Sequence, residues 1–160
     1  MFSLATRRVL LTMACAVPAV CADPFYLGTW KITTATAAPW AEPGNKAGHK
    51  PYEPERKMLV GKTVIFRPDA IVGPRQVGCK GPKYVVQDYP ADMLYQGAFG
   101  EMQRADETVD PVKMAEKVGF HGKSWKTVET GCEVEIDWHY IDSTTTTFAL
   151  NNYVYTLKKQ

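Results

Sequence analysis

Long apolar runs, surplus charge, serine and cysteine are all scarce in this 160-residue sequence. The apolar run from Val9 to Val17 is too short to cross a hydrocarbon core of roughly 30 Å as a helix, which argues against a stable membrane anchor. Charge of one sign is missing too: 19 Lys and Arg stand against 17 Asp and Glu, and Arg7 and Arg8 supply the difference. A balanced domain has no standing attraction for phosphate backbones or anionic lipid heads, so nucleic-acid binding loses its usual driving force. Beyond residue 22 the only serines are Ser124 and Ser143, neither in a nucleophile-elbow pattern, which leaves little material for covalent hydrolysis. Gly122-Lys123-Ser124 reads like the end of a phosphate-binding loop, but the spacing demands Gly at 117, where Lys117 stands.

What is present begins with an export pattern. Arg7-Arg8 precede the apolar run, Pro18 ends it, and Val20-Cys21-Ala22 lie before Asp23, as in a secretory signal peptide over residues 1–22. Small or short-branched residues three and one positions before the cut place cleavage between Ala22 and Asp23. The short n-region and compact h-region look bacterial, so the expected destination is the periplasm or the medium, where there is no ATP. Lipidation of Cys21 is disfavoured by Val20, which stands where a small residue is wanted. Removing 22 of 160 residues leaves 138, enough for one compact domain over 23–160.

Cleavage also discards Cys15 and Cys21 and leaves Cys79 and Cys132, which can pair in only one way in an oxidising compartment. A bridge over that span contributes about 4 kcal/mol by chain-entropy arguments. A two-thiol metal site is the rival reading, but there is no CxxC spacing and no nearby His, so neither a metal nor a cofactor is expected.

Strand signals dominate the rest: β-branched and aromatic residues recur in short runs punctuated by Gly, Pro, Asn and Asp. Strands are expected over Gly28 to Ala35, Lys62 to Arg67, Ala70 to Gly73, Lys83 to Asp88, Leu94 to Phe99, Ser124 to Thr130, Glu133 to Ile141, Thr144 to Leu150 and Tyr153 to Lys158. In the last run Tyr153, Tyr155 and Leu157 share one side and Val154 and Thr156 the other, so both sides are expected to be partly covered. One short helix is expected from Pro111 to Val118, with Asp110 as its cap, Val112, Ala115 and Val118 on one stripe and Gly119 just beyond its end. Ala38 to Leu59 carries four prolines and no period, and reads as a long loop bearing Trp40 and Tyr52. The expected fold is mainly β, an up-and-down antiparallel barrel of about eight strands, because closure removes sheet edges.

The opening Leu27-Gly28-Thr29-Trp30-Lys31-Ile32 resembles the Gly-x-Trp start of lipocalins and related calycin barrels. That resemblance implies a Trp sealing one barrel end, a long first loop over the other, and a basic residue of the final strand packed over the Trp, here Lys158 or Lys159. Val64-Ile65-Phe66, Val72-Gly73, Gly78-Cys79 and Tyr84 also look like the repeat unit of META-type bacterial β domains, with Lys80 where an Asn is usual.

Two further constellations bear on function. Glu133, Glu135, Asp137 and His139 alternate with Val134, Ile136, Trp138 and Tyr140, which reads as a solvated face opposite a buried one; the alternatives are a hard-cation site or an acid/base pair. Aromatic rings either fill a small barrel or line a cavity within it. The function expected is therefore a secreted or periplasmic, non-enzymatic barrel that binds a small apolar or amphipathic ligand through Trp30, Trp40, Tyr52, Trp125, Trp138 and Tyr140. The rival is a periplasmic protein-interaction module, an enzyme inhibitor or immunity-type protein, using the loop or the acidic strand. An envelope hydrolase built on Glu135 or Asp137 ranks last.

Overall fold

The computed structural model describes residues 24–41 and 51–160. The expected signal segment with its cleavage point, and residues 42–50 of the proline-rich loop, lie outside the described residues. Nine strands are formed: β1 (Gly28–Ala37), β2 (Thr63–Phe66), β3 (Ala70–Val72), β4 (Cys79–Lys80), β5 (Val85–Pro90), β6 (Ser124–Glu129), β7 (Trp138–Asp142), β8 (Thr145–Leu150) and β9 (Tyr153–Lys159). They make one antiparallel sheet in the order β4-β3-β2-β1-β9-β8-β7-β6-β5. Each strand lies beside its neighbour in the chain and β9 returns to β1, pairing from Trp30↔Lys159 to Ala37↔Tyr153. The sheet is thus a curled, up-and-down, barrel-like meander with one seam, between β4 and β5, where the ladder stops.

Covalent and polar contacts cross that seam. Cys79 on β4 is bridged to Cys132, just beyond β6, with Cα atoms 6.0 Å apart. Across the seam the Tyr84 hydroxyl donates to Arg67 O at 2.8 Å, while Lys83 N, donating to Thr130 O at 2.7 Å, extends the β5–β6 ladder up to it.

Helices account for the departures from the sequence reading. Instead of one there are three among the described residues: α1 (Glu53–Leu59), α2 (Leu94–Ala105) and α3 (Pro111–Lys117), with 3-10 turns at Pro39–Ala41 and Ala91–Met93. The cap of α3 is as expected, since the Asp110 side chain accepts from Val112 N at 2.9 Å, and Gly119 takes a left-handed φ of 94° beyond its end. Val112, however, points to solvent, and Pro111 and Ala115 make the buried contacts. Leu94 to Phe99 is not a strand: Leu94 is extended, Tyr95 to Gly97 make a left-handed turn, and regular helix follows from Ala98 to Ala105, rich in helix formers with Phe99 and Met102 three apart. α1 emerges from the supposed loop because Pro54 suits a first helical turn and Glu55 and Leu59, four apart, are both buried. Of Glu133 to Ile141 only the second half pairs, since a tight Ile136 N to Val134 O bond of 2.8 Å takes the first half out of the ladder.

The sheet buries both faces. Inside the curl, Trp30, Phe66, Trp138, Phe148 and Tyr155 form a continuous layer, with ring centroids 4.8 Å apart for Phe66–Trp138 and Trp138–Phe148 and 5.0 Å for Phe148–Tyr155. Trp30, Trp138, Phe148 and Tyr155 have no accessible surface, so no water-sized space lies against them. Outside the curl, Leu94, Tyr95, Phe99, Ala115, Phe120, Trp125 and Val154 form a second core between the sheet and the helices. At one end Trp30 donates to Tyr26 O at 3.0 Å while Lys159 Nζ lies 5.3 Å from the Trp30 ring centroid and donates to Phe25 O at 2.7 Å. At the other end α1 closes the curl, with Glu55 accepting from Tyr155 at 3.0 Å and Glu53 accepting from Tyr153 at 2.6 Å.

The seam has too few hydrogen bonds to hold without its bridge. Replacing both Cys79 and Cys132 by Ala should lower the urea-unfolding free energy by about 4 kcal/mol, the entropy of an unclosed loop of this size. Amide exchange should rise first at β4 and β5.

Candidate functional site

A groove of about 620 Å³ lies outside the curl, between the 3-10 turn Pro39–Ala41, α2 and the β8–β9 turn. Its walls are the rings of Trp40 and Tyr95, 5.7 Å apart, the α2 side chains Ala98, Met102 and Ala105, and Ala149 of β8. Gln96, Glu101 and Asn151 supply its polar atoms. Asn151 sits in the hairpin turn at a left-handed φ of 50°, which asparagine tolerates. Its carbonyl accepts from Trp40 Nε1 at 3.2 Å and so fixes the indole over the groove.

The Tyr95 side of this wall rests on an unusual backbone. Tyr95, Gln96 and Gly97 are all left-handed, with φ of 54°, 57° and 79°. For the two side-chain-bearing residues that conformation costs about 1–2 kcal/mol each, so something must hold it. Tyr95 N donates to His139 Nε2 at 2.9 Å, the Tyr95 hydroxyl lies 2.9 Å from Thr147 Oγ1, and the Gln96 amide donates to Glu135 O. Gly100 lets α2 sit close beneath the preceding turn, because a Cβ there would meet Asp92 O at 2.9 Å.

His139 is wholly buried, and burial lowers its pKa to about 3, so the imidazole is neutral. A backbone N–H can only donate, so Nε2 is the acceptor; the ring proton is on Nδ1, which lies 2.8 Å from Thr127 Oγ1. The expectation that Glu133, Glu135, Asp137 and His139 share a solvated face is corrected here. Glu133 and Glu135 are exposed, Asp137 is half-buried, and His139 is covered because α2 lies on that part of the sheet.

A smaller recess of about 390 Å³ gathers Glu129, Glu135 and Asp137 beside Tyr89 and Gln96. Glu129 accepts from the Tyr89 hydroxyl and from Gln87 Nε2 at 2.8 Å. Burial, then the charges of Glu129 and Glu135, push the Asp137 carboxyl up to about 6. Among the described residues no group of three or more His, Cys, Asp or Glu is arranged to hold a metal ion. A third recess, about 460 Å³, runs past Phe25, Trp125 and Tyr140 beside the Lys126–Asp88 pair.

The six aromatic residues expected to share one ligand site do not converge. Trp30 and Trp138 fill the interior, and Tyr140 packs between Phe25 and Trp30 at the barrel end. Trp125 lies against Phe120 in the outer core. Tyr52, 59% exposed, precedes α1. Only Trp40 lines the groove. Tyr95, Ala98 and Met102 went unread in sequence, and His139 was read only as part of the polar face of its strand; the clue was Gly97 and Gly100 among helix formers.

Because Asp137 titrates higher folded than unfolded, it favours the fold below its ordinary value of 3.8, and that contribution is lost as pH rises through about 6. Asp137→Asn should therefore stabilise the protein at pH 8 by about 1 kcal/mol, discounted for partial exposure, and have no effect near pH 3. Urea titrations at the two pH values measure the difference. The chain matches no protein-family model, no curated protein and no solved structure.

Proposed function

We propose that the protein is an exported, non-enzymatic binding module that takes a small apolar or amphipathic ligand in the groove lined by Trp40, Tyr95, Ala98 and Met102. The observation that carries this reading is the groove itself: about 620 Å³, apolar-walled, with a few polar groups at its edge. Ligand pockets run from about 300 to 1,000 Å³ with that kind of lining. The packed rings within the curl leave such a ligand no room inside, so the site is outside the sheet. Likeness to the calycin barrels belongs to the same proposal, and Lys159 over Trp30 is the kind of contact it implies.

One observation favours the second reading, a protein-interaction module. β5 is an edge strand whose adjacent Val85 and Val86 are both exposed, a place where a partner's strand can add.

Titration with anilinonaphthalene sulfonate separates the two. A ligand module should bind the dye saturably, one per chain, and quench tryptophan emission. Ala98→Trp, which fills the groove, should weaken binding at least about tenfold, a loss of about 1.4 kcal/mol. Absence of saturable binding, or binding indifferent to Ala98→Trp, overturns the ligand reading.

A further inference from the structure

The backbone of the groove's inner wall is joined to the most deeply buried titratable group of the outer core by one hydrogen bond. Tyr95 and Gln96 line the groove, and the left-handed run that places them is anchored at Tyr95 N, 2.9 Å from His139 Nε2. We infer that His139 is an acid-released latch for this groove: a proton on Nε2 removes the only lone pair that receives the Tyr95 amide, and the 95–97 segment lets go while the sheet stays closed. The inference concerns regulation of the groove and rests, for its link to ligand, on the reading above.

The chemistry is specific to the tautomer. Neutral His139 accepts at Nε2 and carries its proton on Nδ1, toward Thr127. Once protonated it has two N–H donors and no acceptor, so Tyr95 N–H faces another N–H. The segment is held otherwise by the Tyr95–Thr147 hydroxyl contact and the Gln96 amide on Glu135 O, and neither restrains the Tyr95 peptide itself. A left-handed tyrosine followed by a left-handed glutamine relaxes when its anchor goes.

The surroundings of the imidazole leave burial as the one influence on it. From α2 it meets the Tyr95 ring at 4.8 Å, from β5 the Tyr89 ring at 6.1 Å, and from the segment after α3 the Phe120 ring at 6.5 Å. β6 presents Thr127 and β8 pairs Thr147 opposite it. The titratable groups facing it are thus the two phenols, both held protonated by burial. Glu129 and Asp137 act on Tyr89, not on the imidazole. Closed, His139 titrates at about 3; released into water it regains its ordinary 6.5. Between those values each lower pH unit favours the open segment tenfold.

Native-state amide exchange on the full chain from pH 7 to pH 4, corrected for intrinsic rates, tests this. To remove the neighbouring carboxyl that titrates over the same range, the series is run with and without Asp137→Asn. Protection at residues 95–97 should fall about tenfold per unit below pH 6.5 in both, while amides of β1 and β9 keep theirs. His139→Gln, which keeps an acceptor and cannot titrate, should flatten the slope. Should that variant fail to fold, imidazole nitrogen shifts of the parent protein decide instead, and a neutral Nδ1–H ring at pH 5 is expected. A flat profile in the parent, an equal fall at 95–97 and in β1, a slope that survives His139→Gln, or a protonated ring at pH 5 overturns the latch. If the exchange slope is present but the dye never binds saturably, the latch stands and the ligand reading falls.

Discussion

Curling a sheet of nine strands brings its two edge strands round to face each other, but β4 is only two residues long and makes no ladder with β5. The Cys79–Cys132 bridge supplies the missing attachment, tying β4 to the chain beyond β6. The interior depends on that attachment. Phe66 comes from β2, on one side of the seam, and packs edge-on against Trp138 from β7, on the other. Were the two margins free to part, the ring layer would be opened to water along its length, and its burial is the main favourable contribution to the fold.

With the inside filled by rings, whatever the protein binds must be accommodated by the outer layer. That layer is possible because the β7–β9 region is buried on both faces: Tyr155 and Leu157 belong to the inner core and Val154 to the outer one, and the polar His139 and Thr147 are covered and hydrogen-bonded by Tyr95. The helices cover the outer face incompletely, and the groove is the space left between α2 and the β8–β9 turn. Its shape follows from two anchors of different kind. A backbone carbonyl holds Trp40, and an imidazole lone pair holds the amide of Tyr95.

Period-two patterns were legible in the sequence, and so most of the strands and the two-sided final run could be read directly, though not the two-residue β4. The disulfide followed from counting, and α3 from its Asp110 cap and flanking Pro111 and Gly119. What could not be read arises from tertiary context. α2 begins with Leu94 and Tyr95, residues at home in a strand, and its three left-handed positions are imposed by His139 and Thr147, which lie more than forty residues away. Similarly, His139 looked like one more polar residue in an alternating run, because nothing local reveals which stretch of a face a helix will cover. The aromatic residues were recognised as important, but a tryptophan in the interior and one on a groove carry the same local pattern; Trp138 and Trp40 differ only in what lies across from them.

The pairing of β1 with β9 has a bearing on biogenesis. β1 finds one of its two partner strands, and Trp30 its lysine, only in β9, more than a hundred residues further along the chain. A nascent polypeptide of this design holds most of its greasy rings uncovered until synthesis is nearly over. Its assembly is therefore governed by contacts distant in sequence, the kind that form slowly.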